Sequence, residues 1–428
     1  MKAEPAPTVK LFGEQFSADA FQIRDFLTRS VVHFDWIPIA SDRECEARLG
    51  APIGDAALPV VEFPNGERLR NPTLRDIAIR LGWVASPRYG EYDLSIYGAG
   101  PAGLSAAVYA ASEGLRVVLL EREAVGGQAG SSSLIENYLG FPSGIRGADL
   151  AERARQQAVS FGAEVLLMRE GIRGTFYDDR IHADLADGGH IVARANICAT
   201  GVEWRRLGLA CEDSLIGRGV YYGAGTSEAS QCAGEHVYVV GGANSAGQAV
   251  MNLAAHATKV TMLVRGQRLS DTLSEYLESR IRQAPNVEVL TDTQITALHG
   301  FQRLRGLELT NSRTGDVWDV ETSRVFICIG GEPDTAWTQG TGTIRDRLGY
   351  LVTGPDLVDY PDLRGHWPLT RDPFFLETNV PGSFAAGDVR HNSIKRVASA
   401  VGEGAMAVTF VHRYLAEGDL AAAGTKGR

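Results

Sequence analysis

DLSIYGAGPAGLSAAVYAASEGLRVVLLER, running from Asp93 to Arg122, reads as a strand, a glycine turn, a helix and a second strand. Its turn, Gly98-Ala99-Gly100-Pro101-Ala102-Gly103, is a complete G-x-G-x-x-G at the point where a strand gives way to a helix. Gly98 permits the tight turn, Gly100 lets a pyrophosphate reach the backbone, and Gly103 lets the helix lie close to the strand. The start of the helix adds free N–H groups and the positive end of its aligned peptide dipoles. Glu121 closes the second strand, where a carboxylate can take ribose hydroxyls, and Arg122 follows it. A dinucleotide site is expected on these residues.

A second copy of the plan runs from His236 to Leu269, HVYVVGGANSAGQAVMNLAAHATKVTMLVRGQRL. The expected cofactor contacts are Gly241, Gly242, Asn244, Ser245 and Ala246 at the turn and Arg265 at the end of the second strand. Ala243 stands at the second glycine position, where a methyl group pushes against a pyrophosphate. A guanidinium pairs with a 2′-phosphate that a carboxylate would repel, so Arg265, with Arg268 nearby, favours NADPH over NADH. Gly266 stands between them, and a folded nucleotide domain that binds nothing is the alternative.

Ahead of both units the chain reads strand, helix, strand, helix, hairpin, helix. VKLF from Val9 is a strand, and FSADAFQIRDFLTRS places Phe21, Ile23, Phe26 and Leu27 at helical spacing. SDRECEARLG is a helix capped by Ser41, LPVVEFPNGERLR a hairpin turning at Asn65-Gly66, and TLRDIAIRLG a helix ending at Gly82. This order resembles the thioredoxin/glutaredoxin fold, and Leu58-Pro59-Val60 resembles that fold's cis-proline entry to a strand. The redox cysteines of the family fall on Ser17 and Ala20, so the resemblance implies a docking or dimer-building domain rather than a redox module.

Composition sets outer bounds. The 428 residues are 44% hydrophobic, enough for two or three cored domains, and the 49 glycines suit an α/β protein. A formal net charge of −10 argues against nucleic acid as a partner. No apolar run reaches membrane-spanning length, and MKAEPAPTVK lacks the apolar core of a secretory leader. Five separated cysteines, Cys45, Cys198, Cys211, Cys232 and Cys328, form neither a disulfide framework nor a metal set, so a cytoplasmic protein without a metal is expected.

The segments around the first turn resemble the low-molecular-weight thioredoxin reductase family over roughly Asp93 to Leu415. Gly126-Gly127-Gln128, Glu136-Asn137-Tyr138, Phe141-Pro142 and FAAGDVRHNSIKRVASAVGEGAMAV carry the likeness, in order. It implies FAD at the first site, held also by Gly127, Gln128 and Asn137, with Asp388 of Gly387-Asp388-Val389 on the ribityl side and Arg396-Val397-Ala398 under the ring. Ala199-Thr200-Gly201 is the strand end where the chain leaves for the second domain. The resemblance also implies a homodimer and hinges at Trp204 to Leu207 and Gly330 to Pro333. The expected architecture is α/β: a thioredoxin-like domain (1–86), a linker (87–92), a discontinuous Rossmann-like FAD domain (93–204 and 333–428) and an inserted Rossmann-like NAD(P)H domain (205–332).

One family feature is missing. The Cys-x-x-Cys of the family falls on Gly223-Ala224-Gly225-Thr226, within VYYGAGTSEAS. Thiol exchange needs a thiolate and a second sulfur, and neither is there. Cys198 and Cys328 lie in apolar strands and are expected to be inert, whereas Cys211 and Cys232 lie in polar turns and are expected at the surface. The expected function is transfer of a hydride from NAD(P)H to FAD and onward to a small molecule, oxygen or a carrier protein. A disulfide reductase with Cys211 and Cys232 as surrogates, or a non-catalytic, redox-responsive interaction protein, are the alternatives. Gly354 to Gly382 is a long connector rich in proline and aromatic residues, read as functional or as a covering loop.

Overall fold

The computed structural model describes residues 8–177, 179–360 and 367–426, with side chains to residue 418. The chain forms two compact units. One comprises the chain up to Ile77, residues 131–134 and residues 204–330; the other comprises 78–130, 135–203 and the chain from Gly331 on.

In the first unit, β1 (Val9–Gly13), β2 (Phe34–Pro38), β3 (Val60–Glu62) and β4 (Arg68–Arg70) form a sheet in the order β2-β1-β3-β4, with β1 and β2 parallel and the other pairs antiparallel. Helix α1 (Ala18–Arg29) starts at Ser17, whose hydroxyl accepts the Ala20 N–H at 3.2 Å. Such a cap contributes about 1 kcal/mol. Helix α2 (Asp42–Leu49) starts in a capping box, with the Ser41 hydroxyl accepting from Glu44 N and Glu44 Oε2 from Ala40 N. The hairpin turns at Gly66, φ +83°, and Leu58-Pro59 is cis. Helix α3 (Leu74–Arg80) ends this stretch.

The same unit holds a five-stranded parallel sheet. Across it the strands are Val220–Tyr222, Val325–Ile327, His236–Val240, Lys259–Leu263 and Val287–Leu290. A helix, Asn244–Ala254, links the third of these to the fourth. A three-stranded antiparallel sheet (Thr293–Gly300, Leu304–Asn311, Val317–Glu321) is inserted ahead of Val325–Ile327.

In the second unit the parallel strands Glu164–Leu167, Val117–Glu121, Tyr92–Tyr97 and His190–Cys198 lie side by side in that order. Ser383–Ala385 pairs in parallel with the end of His190–Cys198, and antiparallel Arg180–Leu185 and Gly171–Tyr177 extend the sheet. A helix rich in small residues, Pro101–Ser112, packs between this sheet and the C-terminal helix Val397–Lys426. Its alanines are buried because both neighbours approach the helix backbone: a side chain on Gly404 would meet Ala102 O at 2.1 Å. The chain passes between units at two short strands, Val202–Trp204 and Gly331–Pro333, which pair with each other. Among the described residues no helix is long and apolar enough to cross a membrane. The architecture is α/β with two Rossmann-like sheets. Part of the long connector, residues 361–366, lies outside the described residues. Its remainder is tied down by Arg371, which pairs with the buried Glu377 and with Glu417.

Candidate functional site

The first glycine turn is shaped by steric limits. Gly98 has φ +98°, and a Cβ there would lie 2.4 Å from Ala199 O, so no other residue fits. A Cβ on Gly103 would lie 1.9 Å from Gly98 O, which brings the helix as close to the turn as backbone atoms allow. Gly100 differs from both: a Cβ there would meet nothing within 4 Å. Space is therefore open in front of the helix Pro101–Ser112, whose N-terminal N–H groups have no side-chain cap. That donor set in open space fits a pyrophosphate. Glu121 is buried, and its carboxylate accepts the N–H groups of Ala99 and Glu123 at 2.8 and 2.9 Å.

Several sequence-distant segments gather on this turn. Gly126 N donates to Ala99 O at 2.7 Å, and a Cβ on Gly127 would stand 3.3 Å from Gly100 Cα. Gln128 Nε2 donates to Val202 O at 2.9 Å. Ala199 is buried behind Gly98. The Thr200 hydroxyl donates to Asp334 O at 2.7 Å, and Asp334 N donates to Gly201 O at 3.2 Å. A Cβ on Gly387 would meet Ala102 Cβ at 2.9 Å, so Gly387-Asp388-Val389 lies beside the start of the helix. Arg122 faces Glu203 and Asp334, at 2.8 and 3.1 Å, and so holds the two crossover strands. Asn137 is exposed, and the structure does not draw it into this hydrogen-bonded group among the described residues.

Glu403 is a site residue with no sequence signal beyond its helical position. It accepts Gly387 N at 2.7 Å and pairs with Arg390 at 2.7 Å, which fixes the turn that carries Asp388. Burial raises the Asp388 carboxyl above its usual range, with Lys395 opposing the shift. Lys395 Nζ donates to Asp388 O at 2.9 Å, and Arg396, Val397 and Ala398 open the C-terminal helix, with Arg396 and Ala398 exposed.

In the other unit the second turn follows the first only in part. Gly241 has φ +139°, and its Cβ would lie 2.3 Å from Cys328 O, the counterpart of the Gly98 contact. Ala243 and Ser245 are exposed and Ala246 is buried. The Asn244 amide is turned to Ser274, donating to its hydroxyl and accepting its N–H, both at 2.8 Å. The Thr272 hydroxyl donates to Gly242 O at 2.6 Å. Thr272 and Ser274 strap the turn from a loop that sequence patterning did not single out. Arg265 and Arg268 are exposed, and neither has an acidic partner among the described residues.

Loop 223–226 is folded shut. Gly223 (φ +88°) and Gly225 (φ +61°) are left-handed, and side chains there would meet the Trp204 ring at 3.0 Å and the Phe326 ring at 2.2 Å. The Thr226 hydroxyl donates to Ser131 O at 2.7 Å. Of the cysteines, only Cys211 is exposed. Cys232 does not sit in a surface turn as expected: it ends a short helical turn, is fully buried, and its Sγ donates to Glu228 O at 3.4 Å. Burial pushes its thiol up to about 12. Burial likewise raises Cys198 to about 11 and Cys328 to about 12.

Residues 92–404 match the family model described as pyridine nucleotide-disulphide oxidoreductase. The chain is 33% identical to thioredoxin reductase of Treponema pallidum over 76% of its length and 97% of that protein. It is 32% identical to thioredoxin reductase of Bacillus subtilis over 76% of its length and 95% of that protein. Its fold is similar to the crystal structure of Lactococcus lactis thioredoxin reductase in the FR conformation, with a TM-score of 0.68 at 27% identity, covering 76% of this chain and 99% of that one.

Proposed function

Since the chain belongs to the pyridine nucleotide-disulphide oxidoreductase family, a family of flavoprotein oxidoreductases, we propose that it is an NADPH- and FAD-dependent enzyme whose final acceptor is not a dithiol. The observation that carries this reading is the closed loop 223–226. It holds no sulfur, and Trp204 and Phe326 occupy the space that side chains at Gly223 and Gly225 would need.

FAD bound at the first turn supplies the hydride acceptor and electron store. Gly98, Gly100 and Gly103 with the following helix start would hold its pyrophosphate, Glu121 its ribose, and Asp388, fixed by Glu403, its ribityl side. Gly241, Gly242 and Ala246 would hold the pyridine nucleotide, with Arg265 reading the 2′-phosphate. Asn244 and Thr272 keep that turn in shape. Residues 1–86 are, on this reading, a thioredoxin-like domain, whose described part runs β-α-β-α, then a hairpin and a closing helix, with Ser17 and Ala20 where the redox pair would stand. Small molecules, oxygen and carrier proteins are all acceptor classes compatible with such a chain.

Anaerobic titration tests this reading. About two electrons from NADPH should enter per FAD, against about four for a flavin with an internal disulfide. Uptake of four that falls to two in the Cys211→Ser, Cys232→Ser double variant would overturn it. Cys232 is the weaker half of that alternative, because its thiol is buried and protonated at neutral pH.

A further inference from the structure

Helix α1 lies along both flanks of loop 223–226. The Phe21 ring meets the Tyr221 ring with centroids 4.9 Å apart, two residues before the loop. One turn further along α1, Arg24 Nε donates to Glu228 Oε1 at 2.9 Å, two residues after it. Side-chain exposure is 2% for Arg24 and 0% for Glu228, although 204 residues separate them. The Trp36 ring backs the Arg24 guanidinium at 4.3 Å. At the start of α1 the Phe16 ring stacks at 4.9 Å on Arg324, itself wholly buried. Gly217 has no room for a side chain because Ala18 and Phe21 lie against it.

The chemistry of this contact is selective. A buried guanidinium or carboxylate is tolerated only when its partner is in place, so Arg24 and Glu228 admit one register and penalise others. The aromatic contacts on either side of the pair keep water out and strengthen it. A protein that had to reach loop 223–226 would find both flanks taken.

We infer that the N-terminal domain is the resident occupant of this face of the nucleotide-binding unit: a fixed part of that unit, not a tethered carrier that visits it. The face is matched to one partner, α1 of the same chain. Other proteins are excluded from loop 223–226 while it is docked. This stands whether or not the acceptor reading above holds.

Hydrogen exchange on the intact, flavin-loaded chain tests it. In the wild type, segments 16–28 and 220–230 should be protected to the level of the central strands 236–240 and 259–263. Arg24→Glu and Glu228→Arg should each raise exchange at least tenfold in both segments together, with 93–121 unchanged. The charge-swapped R24E/E228R chain should regain most of the protection. Fast exchange of both segments in the wild type, or single variants that loosen one segment without the other, would overturn the inference. If a single variant fails to fold, the wild-type protection together with Phe21→Ala decides. Exchange needs no electron acceptor, so reduction of a disulfide protein by this chain would break the functional reading and leave this one standing.

Discussion

The two glycine turns begin alike and then part. Gly98 and Gly241 each face a carbonyl at the end of the neighbouring strand, Ala199 O and Cys328 O, and a Cβ at either would come within 2.4 Å of it. That constraint belongs to the strand-to-helix geometry, whatever ligand is bound. At the next position the first turn has Gly100 facing open space and the second has the exposed Ala243. At the third, Gly103 is forced by Gly98 O at 1.9 Å, whereas Ala246 is accommodated 3.0 Å from where a Gly241 Cβ would stand. The first helix is also met closely from its other side, where a Cβ on Gly404 of the C-terminal helix would lie 2.1 Å from Ala102 O. One glycine thus serves the fold, one serves helix packing, and one serves access to the backbone. Only the last depends on what is bound.

The largest effect expected is at Gly103. Gly103→Ala puts a methyl group into a backbone carbonyl, and overpacking of this kind costs about 3 kcal/mol. The protein should purify colourless with a lowered Tm, while Ala246→Gly in the second turn should cost about 1 kcal/mol and leave flavin content unchanged. A yellow Gly103→Ala protein of wild-type Tm would break the comparison. Gly100→Val separates access from folding: the site has room, so circular dichroism should stay native while FAD affinity falls on the order of a hundredfold, about 3 kcal/mol.

The second turn gives smaller effects. Arg265→Ala should lower the kcat/KM preference for NADPH over NADH about tenfold, near 1.4 kcal/mol, with NADH turnover kept. Equal use of both donors by the wild type would remove Arg265 from the site. Ala243→Gly should lower KM for NADPH a few-fold, about 0.5–1 kcal/mol, by clearing the approach to the backbone. An unchanged KM would mean that the exposed methyl group does not meet the nucleotide.

Both turns are backed by a cysteine, Cys198 beside Ala199 and Cys328 itself. Burial raises their thiols to about 11 and about 12, so the reactive thiolate forms only as pH climbs towards those values. At pH 8 the native protein should therefore react with one equivalent of thiol reagent, at Cys211, and Cys211→Ser with none. Two or more fast-reacting thiols in the native wild type would contradict the burial of the other four cysteines.

Sequence alone determined what short-range geometry decides. The two strand–turn–helix units, the cap at Ser41 and the hairpin at Gly66 follow from sterics and hydrogen bonds acting within a few residues. Tertiary structure decided the rest. Phe21 belongs by spacing with Ile23, Phe26 and Leu27, yet it turns away from them to Tyr221. Cys232, in a polar stretch, is sealed in, and Gly223 is covered by Trp204. Glu403 reaches back to Gly387 from a helix with no motif around it. Burial depends on which distant segments come to lie alongside a residue. Arg24 and Glu228 are 204 positions apart, and no local pattern in either segment encodes that they meet.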